Sequence, residues 1–108
     1  MRHRINKHID RLVKLELKES KQYYEEFFNS PHEGYAIIEE EFEEAEDEMR
    51  RLRNGIEALW DDVKEDNVDI YNLMKMRETA KWCASEIIQT AAMIAKLFDS
   101  VVEWNEQD

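Results

Sequence analysis

The stretch Tyr35–Val63, "YAIIEEEFEEAEDEMRRLRNGIEALWDDV", decides the fold. Its apolar residues Tyr35, Ile38, Phe42, Ala45, Met49, Leu52, Ile56, Leu59 and Val63 step by three and four in strict alternation. That spacing lines one face of an α-helix and forms a heptad seam, which needs a partner helix to cover it. The segment just before it, "NSPHE", carries a helix-start signal: Ser30 as N-cap, Pro31 at the first helical position, and Glu33 three residues after the serine to close a capping box. The spacing predicts one helix over 31–64. Gly55 inside it costs about 1 kcal/mol relative to alanine, so a kink or a close backbone approach is expected there.

Working outward, Ile5, Ile9, Leu12, Val13 and Leu15 recur near helical spacing and predict a first helix over about 4–28, with Tyr23, Tyr24, Phe27 and Phe28 at its end. "KEDNVD", Lys64–Asp69, breaks the chain, with Asp66 or Asn67 as N-cap of a third helix over about 68–104. Its seam runs through Ile70, Leu73, Ala80, Ala84, Ile87, Ala91, Ile94, Phe98 and Val101, and Ala84, Ala91, Ala92 and Ala95 allow close packing. Helices of this length reach about 50 Å at 1.5 Å per residue, against a radius of gyration of about 13 Å for a compact chain of this size. The expected fold is all-α: a long antiparallel helical hairpin plus an N-terminal helix, dimerising into a four-helix-bundle core.

The composition agrees. The 108 residues hold two glycines and one proline and read as a single helical domain, 1–108. With 26 acids against 15 bases the net charge is −11, which argues against direct binding to nucleic acid or an anionic membrane. One cysteine, Cys83, excludes an internal disulfide framework and reads as a small core residue. The basic N-terminus has no continuous apolar run and no stretch approaches a membrane span, so a cytoplasmic protein is expected. The three histidines carry little: His3 and His8 are not four apart, and His32 sits in the capping box.

The charge is concentrated. Eight of the ten residues Glu39–Glu48 are acidic. Glu46 precedes Arg50 and Asp47 precedes Arg51 by four, the spacing of ordinary surface pairs. The row Glu40, Glu44, Glu48 stacks like charges with no such arginine, at roughly 0.2 to 0.5 kcal/mol per contact. Glu40, Glu41, Glu44 and Glu48 fall on one side of the helix beside the seam, Glu41 nearest the core. Carboxylates there are either a solvated face or hard oxygen ligands for Mg²⁺ or Mn²⁺. On the third helix Lys75, Thr79, Trp82, Glu86, Gln89 and Met93 share a stripe, and Glu86 stands alone among apolar neighbours in "WCASEIIQTAAMIA". Lys75 and Trp82 are candidate substrate contacts, a cation for phosphate and a ring for a base, or else part of a solvated stripe.

The segments "EGYAIIEEEFEEA", Glu33–Ala45, and "SEIIQTAAMIAKLF", Ser85–Phe98, resemble the MazG-like branch of the all-α nucleoside triphosphate pyrophosphohydrolases encoded by many phages and prophages. The likeness spans roughly 31–100. The family's first motif, two glutamates with a third three residues on, matches Glu40, Glu41 and Glu44. Its second, Glu-x-x-Asp on the next helix, matches Glu86 but has Gln89 at the aspartate position. The resemblance implies a helical-bundle dimer or dimer of dimers that uses Mg²⁺ to convert an NTP or dNTP into the monophosphate and pyrophosphate. Glu41, Glu44 and Glu86 would hold the metal with Gln89 as a weaker ligand, and Glu40 would ligate or orient the attacking water. The alternative is a non-catalytic acidic helical dimer, a protein-binding inhibitor or nucleic-acid mimic. A hydrolase needs Glu86 to converge with Glu41 and Glu44, whereas a mimic needs acids spread over the exterior.

Overall fold

The computed structural model describes residues 2–107, which form three helices: α1 (Arg2–Tyr23), α2 (Pro31–Lys64) and α3 (Ile70–Glu106). Among the described residues there is no strand, and no helix is long and apolar enough to cross a membrane.

The start of α2 follows the expected chemistry with one change. Ser30 is the N-cap in extended backbone, its Oγ accepts the Glu33 N–H at 3.1 Å, and Pro31 opens the helix. Glu33 does not close the box onto Ser30. Its carboxylate accepts instead from the backbone N–H of Asn29 at 3.3 Å and from Asn29 Nδ2 at 3.1 Å, one residue further back. The helix then runs unbroken through Gly55. Here the glycine serves a close approach, because a Cβ would stand 2.7 Å from Met76 Cγ.

The end of α2 is a Schellman turn. Asp66 takes φ 54°, its N–H donates to Val63 O at 3.1 Å, and the Asn67 N–H donates to Asp62 O at 2.9 Å. Aspartate is one of the few non-glycine residues that visit this left-handed region routinely. Because Asp66 and Asn67 are used in that turn, neither caps α3 as expected. Asp69 does, its Oδ1 accepting the Tyr71 N–H at 2.9 Å, and α3 starts at Ile70 rather than near residue 68.

Residue 34 meets 97, residue 44 meets 86 and residue 55 meets 76, so α2 and α3 lie along each other in opposite directions. Small side chains permit the approach: Ala45 and Ala92 are fully buried. The α1 helix packs on α3, tied by an ion pair from Lys21 Nζ to Asp99 at 2.7 Å and by a hydrogen bond from Lys96 Nζ to Ser20 Oγ at 3.1 Å.

The first helix ends at Tyr23, five residues short of the predicted Phe28. The reason is Phe28 itself. It is 5% exposed, its N–H donates to Ser100 Oγ at 2.9 Å, and its ring lies against Gly34 in the first turn of α2. Burying that ring needs the chain to fold back onto α3, and this outweighs the helix-favouring run of residues before it.

The molecule measures 65 × 29 × 22 Å, with a radius of gyration of 18.1 Å against the about 13 Å of a compact chain of this size. Much apolar surface is uncovered: Phe42, Met49 and Ile56 of α2, Ile94, Phe98 and Val101 of α3, and Ile5, Ile9 and Leu12 of α1 are all exposed. Of the nine seam residues in α2, Ala45 is the one that is fully buried within the chain.

Candidate metal centre

Because α2 and α3 run in opposite directions, the Glu40–Glu44 turn of α2 lies opposite Glu86 of α3. Each of Glu41, Glu44 and Glu86 offers a carboxylate oxygen, and these oxygens all lie within 4.8 Å of one another. Glu41 and Glu86 are half-buried and Glu44 is exposed, so the cluster opens to solvent on the Glu44 side.

The cluster is electrostatically incomplete. Glu41 Oε2 and Glu86 Oε2 are both buried and neither has a hydrogen-bond partner, a costly arrangement for a charged acceptor. Burial, reinforced by the neighbouring Glu44, Glu40 and Glu16 carboxylates, raises the Glu41 pKa above its ordinary value. Glu86 is raised in the same direction by burial first, then by the adjoining Glu44 carboxylate and by the charges of Glu41 and Glu48. Three converging carboxylates, two of them with orphaned oxygens, form a cluster that could hold a metal ion, whose charge would offset the repulsion among them.

Nearby groups divide into those that join this site and those that do not. Glu40 is exposed and Gln89 half-buried, and both line the same cleft as Glu41. Lys75 and Trp82 are exposed on α3 and lie outside the cleft lining. Cys83 is buried, and burial pushes its thiol pKa up, which suits a packing residue rather than a nucleophile.

The arginine pairing differs from the sequence expectation. Arg50 pairs with Asp47 at 2.9 Å and Arg51 with Glu48, each three residues apart rather than four. Both spacings bring side chains together on a helix, and the shorter one takes Arg51 from Asp47 and gives Glu48 a partner. Glu46 forms no ion pair among the described residues. Of the acidic row, Glu48 is thereby neutralised from within α2, while Glu40, Glu41 and Glu44 are not.

The cleft beside the cluster has a volume of about 830 Å³ and is walled by α1, the connection after it, and the facing sides of α2 and α3. Its lining includes Tyr23, Tyr24, Phe27 and Phe28, and also Lys96, which is 4% exposed. Sequence reading missed Lys96, although the signal was present. The α3 stripe Glu86, Gln89, Met93 continues at helical spacing to residue 96. No known protein family, curated protein or solved structure matches this chain.

Proposed function

We propose that the protein is a Mg²⁺-dependent nucleoside triphosphate pyrophosphohydrolase, converting an NTP or dNTP into the monophosphate and pyrophosphate. The observation that carries this reading is the convergence of Glu41, Glu44 and Glu86, from two helices, with two buried and unpartnered carboxylate oxygens. A bound divalent cation supplies charge stabilisation for the phosphates and lowers the pKa of a water. The chain's own residues do the rest. Glu41, Glu44 and Glu86 hold the ion, and Gln89 adds a neutral amide oxygen. Glu40, exposed on the neighbouring position of α2, accepts a proton from the attacking water.

The alternative of an acidic mimic needs its carboxylates spread outward, and the meeting of Glu86 with Glu41 and Glu44 weighs against it. The α2–α3 hairpin works as half of a homodimeric four-helix bundle. Supporting this, the chain exposes 8671 Å², whereas a compact monomer of 13.1 kDa exposes about 6400 Å². The excess exceeds the about 800 Å² per partner of a standard interface.

The test is incubation of the protein with a panel of NTPs and dNTPs and Mg²⁺, with pyrophosphate release as the readout. Orthophosphate as product, or no Mg²⁺-dependent turnover of any triphosphate, overturns the reading.

A further inference from the structure

The cleft beside the glutamate cluster contains a cation that the proposed chemistry does not use. Lys96 is 4% exposed, yet no carboxylate of the described residues forms an ion pair with it. Its Nζ donates to Ser20 Oγ at 3.1 Å and stands 4.9 Å from the centre of the Phe28 ring. An ammonium has three donors, and burying it with one hydroxyl partner is unfavourable. Burial accordingly pushes its pKa below lysine's ordinary value, with Glu33 and Glu25 opposing that shift and Lys21 adding to it. In a chain of net charge −11, a buried ammonium without a carboxylate partner is a poor structural device and a good ligand contact.

Its surroundings say which part of a ligand it meets. Glu33 lines the same cleft, and Gly34 next to it touches Leu97, so Glu33 and Lys96 lie at one end. The Glu33 carboxylate is held in place by Asn29 through its backbone N–H and Nδ2 and keeps lone pairs free, since it accepts about four hydrogen bonds. Tyr23, Tyr24, Phe27 and Phe28 also line the cleft. This end therefore offers aromatic faces, a donor and an acceptor not paired with each other. Lys96 lies ten residues beyond Glu86 on α3, or about 15 Å along the helix axis. A phosphate chain anchored at the glutamate cluster does not span that separation, but the base of the same nucleotide does.

Resting on the pyrophosphohydrolase reading, we propose that the Lys96–Glu33 end of the cleft binds the nucleobase and selects bases with a carbonyl beside a ring N–H. Lys96 donates to the carbonyl oxygen and Glu33 accepts the N–H. Guanine, hypoxanthine, uracil and thymine meet this requirement. Adenine and cytosine present an amino group beside a bare ring nitrogen, so the ammonium faces a donor and the carboxylate faces a lone pair. Lys96 is buried and Glu33 exposed, so the mismatch at the ammonium, which leaves a buried donor facing a donor, carries most of the discrimination.

The matched pairs ITP against ATP and UTP against CTP isolate that edge, because the members of each pair share the sugar and triphosphate. Calorimetric titration of the full chain, with Ca²⁺ replacing Mg²⁺ to slow turnover, is expected to show the keto member binding at least about tenfold tighter in both pairs. Lys96→Met should bring both ratios towards one. Lys21→Met, which breaks the ion pair to Asp99 at a residue that does not itself line the cleft, should keep them. If Lys96→Met does not fold, Glu33→Gln serves, and it too should lose the discrimination, because its amide can turn either a donor or an acceptor to the base. Equal binding within the pairs, or preference for the amino members, overturns the base-edge proposal and leaves the hydrolase reading intact. Binding of none of the four, nor of their 2′-deoxy forms, overturns both.

Discussion

The backbone N–H of Phe28 donates to the Ser100 hydroxyl at 2.9 Å, and that hydroxyl donates in turn to the Lys96 carbonyl at 2.7 Å. Ser100 is fully buried, so one side chain joins the α1–α2 connection to the last third of α3. Ser100→Ala leaves the Phe28 N–H without its partner in a buried position and should cost about 1–3 kcal/mol. Phe28→Ala removes the ring and should cost about 3–5 kcal/mol. Urea unfolding measures both. An unchanged midpoint for Ser100→Ala would mean that water replaces the hydroxyl and the link carries no stability.

The uncovered apolar face leads to a prediction about mass. Phe98 is 68% exposed and lies with Ile94 and Val101 on the part of α3 that nothing within the chain covers. Sedimentation equilibrium should return twice the 13.1 kDa of the chain, and Phe98→Glu should return the single-chain mass, because a charge buried in an apolar interface without a partner is strongly unfavourable. A single-chain mass for the unaltered protein at every concentration tested rules out the dimer.

The two long helices were legible because periodicity and capping are local properties. The seam from Tyr35 to Val63 and the Ser30–Pro31 start placed α2 at 31–64, as observed. The end of α1 was not legible, since Phe28 turns inward to meet Ser100, 72 residues away in sequence. The capping of α3 by Asp69 depended on the Schellman turn taking up Asp66 and Asn67, and several acids in "KEDNVD" compete for that role. For the site, the helix stripes set Glu40, Glu41, Glu44 and Glu48 on one side of α2 and Glu86 on α3, and the family resemblance narrowed these to Glu41, Glu44 and Glu86, whose carboxylate oxygens lie within 4.8 Å of one another. Lys96 escaped because a lysine on a helix reads as surface, and its burial comes with α1 packing over it through Ser20.

The glutamate cluster should respond to a divalent cation by gaining stability, because an ion bound to the folded chain alone shifts the unfolding equilibrium. Adding Mg²⁺ or Mn²⁺ should raise the melting temperature of the unaltered protein. Glu44→Gln and Glu41→Gln should reduce that gain by most of its size, whereas Glu46→Gln, an exposed acid outside the cluster, should leave it unchanged. Equal responses of Glu44→Gln and Glu46→Gln to Mg²⁺ would place the ion elsewhere.

Without metal, the same carboxylates should make stability depend on pH in the opposite sense to a salt-bridged acid. Burial and neighbouring negative charge raise the pKa of Glu41 and Glu86 above 4.5. Below that value both states hold the protons and the groups cost nothing. As pH rises through the raised folded values, the unfolded chain has already released its protons while the folded chain still holds them, so stability falls. Glu86→Gln removes one of these groups and relieves the other. In EDTA its melting temperature should therefore equal or fall below that of the unaltered protein near pH 4.5 and exceed it at pH 7, the difference growing across the interval. Saturating Mg²⁺ should reverse the order at pH 7, since the ionised carboxylates then have a partner that the glutamine variant lacks. A difference that stays constant with pH in EDTA would show that the two carboxylates ionise as freely in the folded chain as in the unfolded one.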